Sequence, residues 1–334
     1  MPTIAKTPLR ISLFGGGTDY PEYWERHGGV VLGGTIDKFI YQIHLPTSSI
    51  AEKRYCLTYD KVEAVNQPGE IKHPIIREVL LDEKYDEPFN LAVISDIPGN
   101  AGLGSSSAFT IGFLSLIRYL KGEQPTKLDL ARAAFRVEAE ILRKRVGVQD
   151  QYHAAFGGLS LYEFSTDRTT ISPIQFSTEF RDELNAAMVL VHTQRYRYAS
   201  DILKGQIQAT EAGEIDSNLG EIKSIAYAAR DLLQSPTRRD KLPEIGRMLS
   251  SSWEIKRSLS PSISNSDLDD IYQKGMQLGA YGGKLAGAGG GGFFIFLMPP
   301  EGLKKLKATF GDNRVIDVRF QDEGTRLRSV SGWA

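Results

Sequence analysis

Pro98-Gly99-Asn100-Ala101-Gly102-Leu103-Gly104-Ser105-Ser106-Ser107-Ala108 decides how this chain is read. The glycines and hydroxyls follow the apolar run Leu91 to Ile94. They end where Phe109, Phe113, Leu116, Ile117 and Leu120 mark one buried helix face at i, i+4, i+7, i+8 and i+11. Strand, glycine loop and helix are therefore predicted in that order. Glycine lets backbone approach an anion closely, and the first-turn N–H groups of a helix lack intrahelical acceptors and sit at the positive end of its dipole. The stretch is a candidate phosphate cradle; taken alone, it also reads as a helix cap made from serines.

Two familiar nucleotide sites are excluded. No Gly-x-x-x-x-Gly-Lys-Ser/Thr occurs, and Lys284 is followed by Leu285 rather than a hydroxyl residue. The dinucleotide fingerprint fails at Gly102 for want of its third glycine, and no βαβ unit opens the chain, which argues against a nicotinamide oxidoreductase.

With 334 residues, 41% hydrophobic and 24% charged, the chain can bury a large core and is expected to split into two domains, 1–185 and 186–334. The boundary rests on element order, since no composition shift marks it. A net charge of −1 with interspersed signs argues against a nucleic-acid surface and favours small-molecule chemistry. The single cysteine, Cys56, cannot form an internal disulfide, and the opening residues lack the apolar core of a signal peptide, so a reducing cytoplasm is expected. The longest apolar candidate, Phe293 to Met298, is far shorter than the roughly 20 residues that span a bilayer, so no membrane insertion is expected.

Along the chain, Leu9, Ile11 and Leu13 alternate with Arg10 and Ser12 as in a half-buried strand, which Gly15 to Gly17 end. Further strands are predicted around Val30 to Leu32, Phe39 to Leu45, Tyr55 to Tyr59 and Leu91 to Ile94, and helices around His73 to Leu81 and Lys127 to Lys144. A second half begins near Ala186, with a strand at Ala187 to Val191 and helices around Leu219 to Leu233, Leu242 to Leu259 and Leu268 to Leu278. A strand at Phe293 to Leu297, a helix at Leu303 to Phe310 and a strand at Val315 to Phe320 complete it.

Three further clusters carry chemistry. After the first strand, Gly15-Gly16-Gly17-Thr18-Asp19 offers a hydroxyl and a carboxylate that can pin a polyol, while Arg10 can serve anions. A strand ended by a flexible turn, with Asp19 capping the next helix, is the plainer reading. Glu138 lies on a predicted helix and Asp150 just past its end, so the two carboxylates can take different roles; alone, they read as a solvated helix face and a local cap. Between Gly282 and Gly292, seven of eleven residues are glycine, an entropic cost that close backbone approach to a ligand would explain, with a flexible loop as the competing reading.

With these residues in order, the sequence resembles the GHMP family of small-molecule kinases, named for galactokinase, homoserine kinase, mevalonate kinase and phosphomevalonate kinase. The three matching motifs are Arg10-Ile-Ser-Leu-Phe-Gly-Gly-Gly-Thr-Asp19, Pro98 through Ser106 and Lys284-Leu-Ala-Gly-Ala-Gly-Gly-Gly-Gly292, and they span nearly the whole chain. Within the family it is most similar to sugar kinases acting on the anomeric hydroxyl of D-glycero-D-manno-heptose 7-phosphate. Thr35 to Lys38, His73 to Glu78, Gly147 to Tyr152 and Thr193 to Leu203 add to that similarity. Galactokinases carry a Glu-His pair where this chain has Gly16 and Gly17; a fucokinase stays open. A non-catalytic sensor of sugar and ATP would not need Arg10, Ser106, Glu138 and Asp150 together.

The resemblance implies a two-domain α/β fold, with an N-terminal domain like domain 2 of ribosomal protein S5, a ferredoxin-like C-terminal domain and the active site between them. It implies ATP and Mg²⁺ as cofactors and a sugar phosphate as substrate, and leaves a homodimer open. Asp150 would accept or orient the sugar hydroxyl proton beside Arg10. Pro98, Gly99, Gly102, Leu103, Gly104, Ser105, Ser106 and Ser107 would hold the ATP phosphates. Ser106 and Glu138 would bind Mg²⁺, with Ser105 taking the place of Ser106 if the register slips by one. Gly16, Gly17, Thr18, Asp19 and Gly289 would face the sugar. A phosphate already on the substrate needs a cation, since an unpaired buried dianion is very costly, and Arg197, Arg195 and Lys284 are the candidates.

Overall fold

The computed structural model of the chain describes residues 1–195, 199–236 and 240–330. The first strand, β1 (Thr3–Phe14), is longer than predicted and buried on both faces from Ala5 onward except at Lys6, so Arg10 and Ser12 do not point to solvent. After helix α1 (Pro21–His27), β2 (Gly29–Pro46) runs as one 18-residue strand where two were predicted, because it stays paired with β1 on both sides of a register shift around Asp37-Lys38, Thr35 facing Arg10 and Phe39 facing Pro8. Then follow β3 (Tyr55–Thr58), β4 (Val62–Val65), α2 (Pro74–Asp82), β5 (Phe89–Ser95) and α3 (Ser105–Leu120). Helix α4 (Lys127–Arg136) continues into a π-helical turn at Val137–Ile141, where the sequence suggested one regular helix to Lys144. Next come α5 (Gln149–Phe156), β6 (Leu159–Phe164), β7 (Thr169–Pro173) and α6 (Thr178–Ala187).

The remainder comprises β8 (Met188–His192), α7 (Ala199–Glu211), α8 (Asp216–Gln234), α9 (Lys241–Ser258), α10 (Ser266–Gln277), β9 (Gly282–Leu285), β10 (Phe293–Leu297), α11 (Pro300–Phe310), β11 (Val315–Asp317) and β12 (Arg326–Ser329). Two sheets result. The first has the order β12-β1-β2-β5-β3-β4, with β6 on β2 and β7 on β6; the second is β11-β8-β10-β9. This is the mixed α/β two-domain architecture expected. The chain does not stay in the second half after 186, however: β12 returns to pair with β1, with Thr3 opposite Ser329 and Lys6 opposite Arg326. The stretch 186–334 therefore contributes a strand to the first sheet, a long-range pairing that element order does not reveal.

Helix α3 is buried all round from Ser107 to Ile117 rather than along the one predicted face, because it lies between the sheet and α2, α4 and α5. Gly112 allows this closeness: a Cβ there would stand 2.5 Å from both Gln42 Oε1 and Thr7 Oγ1. The first turn of α3 is thereby fixed over the end of β1. Helices α8 and α9 also pack on β1, and one hydrophobic core joins residues of both sheets, from Leu9 to Leu190. No helix among the described residues is long and apolar enough to cross a membrane.

Candidate active site

A cavity of about 620 Å³ opens where β1, the Gly99–Ser107 loop, the π turn, α5, α9 and β9 meet. Its centre is Arg10, 6% exposed, whose guanidinium donates to both Asp150 oxygens at 2.7 and 2.8 Å and to the Gly102 carbonyl at 2.8 Å. The Arg10 backbone N–H donates to Leu103 O at 3.0 Å, so one residue ties the glycine loop to α5. Gly104, at φ +74, is required here because a Cβ would meet the Arg10 side chain at 3.0 Å. Asp150 lies in the first turn of α5 and not on the expected loop, where the helix dipole favours its charge. Its side chain stays 24% exposed, leaving a face of the carboxylate open to the cavity.

The π turn carries Glu138, which is fully buried instead of lying on a solvated helix face. Its Oε1 accepts from Ser106 Oγ at 2.9 Å and Thr110 Oγ1 at 3.2 Å; its Oε2 accepts from Ser107 Oγ at 2.7 Å and Gln151 Nε2 at 2.5 Å. In α3 the helical ladder begins with Ala108 N–H donating to Gly104 O at 2.9 Å, so the three serine N–H groups before it have no acceptor within the helix. Gly102, Gly104, Ser105, Ser106 and Ser107 all line the cavity. Pro98 and Gly99 are exposed away from its wall, and the Leu103 side chain is core, so these three expected phosphate contacts are not brought to the cavity.

Asp19 is 1% exposed and accepts from Gly17 N–H at 3.0 Å and Gln149 N–H at 3.4 Å. Burial, and then the charge of Asp150, push its carboxyl above the usual aspartate range. Gly16 and Gly17 share the cavity wall with it. Thr18 does not: its hydroxyl donates to Gly15 O and Val30 O at 2.8 Å and accepts from Val30 N–H at 2.9 Å, so it closes a turn and cannot read a sugar.

The glycine-rich C-terminal stretch is not the simple loop expected. Gly282 and Gly283 belong to β9, where Cβ atoms would strike Gly246 O at 1.8 Å and Phe296 at 2.5 Å. Gly287, at φ +67, would place a Cβ 2.7 Å from Gly102 Cα, so the two glycine loops touch. Gly289 packs on Ile263 and lies off the cavity wall, against its expected place at the sugar. Most of these glycines thus serve contact between protein backbones.

Of the cations proposed for a substrate phosphate, Arg197 lies outside the described residues, and Arg195 pairs with Asp267 away from the cavity. Lys284 does line the cavity, 3% exposed, and donates to Leu13 O at 2.8 Å. Burial, with the charges of Lys256 and Arg10, pushes it well below the usual lysine value. Sequence reading missed Lys256, which lines the same cavity at 7% exposure and donates to the Gly287 carbonyl. Burial brings its ammonium down to about 8, with Arg10 lowering and Asp19 raising it. The signal was present: Leu249, Trp253 and Lys256 share one buried face of α9, so a charge stands at a core position. Gln149 and the basic run Arg143-Lys144-Arg145 on the cavity rim were also missed.

A guanidinium-clamped carboxylate beside a helix N-terminus whose first N–H groups lack intrahelical acceptors can orient a hydroxyl nucleophile next to bound phosphate, the arrangement that phosphoryl transfer needs. Residues 73–158 match the GHMP kinases N terminal domain and residues 229–313 the GHMP kinases C terminal domain. The chain is 31% identical to a D-glycero-alpha-D-manno-heptose 7-phosphate kinase of Campylobacter jejuni, over 98% of this chain and 99% of that protein. It is 27% identical to a galactokinase of Pyrococcus furiosus over 90% of each. A D-glycero-D-manno-heptose 1-phosphate kinase structure from Bacteroides thetaiotaomicron superposes with a TM-score of 0.79 at 23% identity, covering 99% of this chain and 100% of that one. The chain therefore belongs to the GHMP kinase family and is an ATP-dependent phosphotransferase acting on an alcohol group.

Proposed function

We propose that the protein transfers the γ-phosphoryl group of ATP to the anomeric hydroxyl of D-glycero-D-manno-heptose 7-phosphate, giving the 1,7-bisphosphate and ADP. The observation that carries this substrate is the full-length 31% identity to a kinase of that name. The bond from the anomeric oxygen to phosphorus forms as the bond from phosphorus to the ADP oxygen breaks, and the hydroxyl proton leaves toward Asp150. Arg10 fixes both carboxylate oxygens, so Asp150 points one way when the hydroxyl arrives. The serine N–H groups of α3 meet the nucleotide phosphates, and Asp19 with its neighbouring glycines faces the sugar ring.

Ser106 Oγ and Glu138 Oε1, 2.9 Å apart at the cavity wall, fit Mg²⁺, a hard ion that takes one or two protein oxygens and the rest of its shell from phosphate and water. Among the described residues no cluster of three or more His, Cys, Asp or Glu offers a fuller metal site. When bound there, Mg²⁺ would neutralise charge on the nucleotide phosphates. The test is ADP release with ATP and Mg²⁺ against the phosphorylated heptose, mannose, fucose, galactose and N-acetylhexosamines. Turnover confined to the phosphorylated heptose is expected; preference for a free sugar would overturn the substrate while leaving the phosphoryl-transfer machinery in place.

A further inference from the structure

Arg10, Lys256 and Lys284 bring three buried cations to one side of the cavity. Arg10 is consumed by Asp150. Among the described residues neither lysine makes an ion pair; each gives one N–H to a backbone carbonyl, Gly287 O for Lys256 and Leu13 O for Lys284, leaving two donors apiece. Burying two ammonium groups near each other without carboxylates is costly unless an anion completes the site. The rest of the cavity already divides by ligand. The α3 N-terminus stands with Glu138, which accepts from Ser106 Oγ, and with Lys144, whose Nζ is 3.4 Å from Ser106 Oγ. Lys256 instead feels the charge of Asp19, the carboxylate assigned to the sugar, and Lys284 lies beside Lys256.

We propose that Lys256, with Lys284 beside it, binds the phosphate that the acceptor sugar itself carries. This rests on the phosphorylated-sugar reading above and replaces the Arg197, Arg195 and Lys284 order suggested by sequence. Lys256 comes from α9 and also holds Gly287, the glycine that touches Gly102, so the lysine that meets the acceptor's phosphate also holds the contact between the two glycine loops. Burial and the charge of Arg10 hold Lys256 down at about 8 against the pull of Asp19, the setting in which a bound anion would be stabilising.

The experiment is calorimetric binding to the full chain of heptose 7-phosphate, unphosphorylated heptose and a non-hydrolysable ATP analogue, for wild type and Lys256→Gln. Glutamine keeps an N–H for the Gly287 carbonyl and removes the charge. Wild type is expected to prefer the phosphorylated heptose, and Lys256→Gln to lose about tenfold or more of that preference while binding the unphosphorylated sugar and the analogue as before. An unchanged preference, or an equal loss of analogue affinity, overturns the proposal. A second arm uses wild type alone: inorganic phosphate is expected to bind with the ATP analogue already saturating, and displacement by the analogue would assign the lysines to the γ-phosphoryl instead. If wild type binds no heptose 7-phosphate, the substrate reading falls, and the inorganic phosphate arm still decides the lysine site.

Discussion

Arg10 and Asp150 stand 140 positions apart in sequence and share two charge-assisted hydrogen bonds, so the site rests on a pair that only the folded sheet assembles. Asp150→Asn should preserve the fold and lower turnover by roughly 10²-fold or more, as loss of a positioned base does; unchanged turnover in a steady-state assay would remove Asp150 from the chemistry. Glu138→Gln should raise the Mg²⁺ concentration for half-maximal rate. It should also lower the melting temperature, because an amide NH₂ would confront either Ser106 and Thr110 or Ser107 and Gln151, all of which now donate to Glu138. An unshifted metal titration would count against its role. For Thr18→Val the expectation reverses the sequence reading: about 1–3 kcal/mol of stability is lost in a denaturant melt, with the sugar KM little changed. The motif residues Arg10, Asp19, Ser106, Glu138 and Asp150 were legible from spacing and resemblance. Thr18 was misread because a hydroxyl that saturates its own turn looks, in sequence, the same as one offered to a ligand.

At the scale of elements, the π turn and the two glycine loops set the geometry. Glu138 continues the buried face of Leu130, Ala134 and Val137 at i, i+4, i+7 and i+8 spacing and so meets the α3 serines, but apolar periodicity counts only apolar residues and passes over a carboxylate at a core position. The same blindness placed Asp150 on a loop, since the short helix α5 has its own start after Val148. Gly102 and Gly287 meet backbone to backbone, so Gly287→Ala combines a left-handed φ with a 2.7 Å clash. Its expected result is a lower melting temperature together with reduced kcat, read by a thermal melt and kinetics on the same preparation. Wild-type values for both would show that the loops do not need this contact.

For the whole molecule, the alternation of element types and the three motifs gave the α/β class and two domains. Long-range pairings were not legible: β12 closes the first sheet against β1 across more than three hundred residues, and β2 holds together through partners on both sides rather than through its own polar middle. The cavity lies where the two halves share a core, and Lys256 and Lys284 come to it from the second half. A buried cation with no carboxylate partner works against folding. The unfolded chain holds a lysine proton up to the ordinary value near 10.5, whereas folded Lys256 gives it up at about 8. Below pH 8 the penalty is full; between about 8 and 10.5 the unfolded state binds more protons, so stability rises with pH. Lys256→Gln, which keeps an N–H for the Gly287 carbonyl, should therefore melt higher than wild type at pH 7, with the gap narrowing toward pH 10; a lower melting temperature at pH 7 would show that the ammonium stabilises the fold more than its burial costs.

The proposed reaction is transfer from ATP to the anomeric oxygen of a phosphorylated heptose, governed by Asp150. Phosphorus NMR of a reaction containing ATP, Mg²⁺ and heptose 7-phosphate tests it most directly. Wild type should yield a second sugar phosphorus coupled to the anomeric proton, and Asp150→Asn should leave the 7-phosphate signal alone over the same time. A new signal at any other carbon, or equal product from the variant, would overturn the proposed reaction.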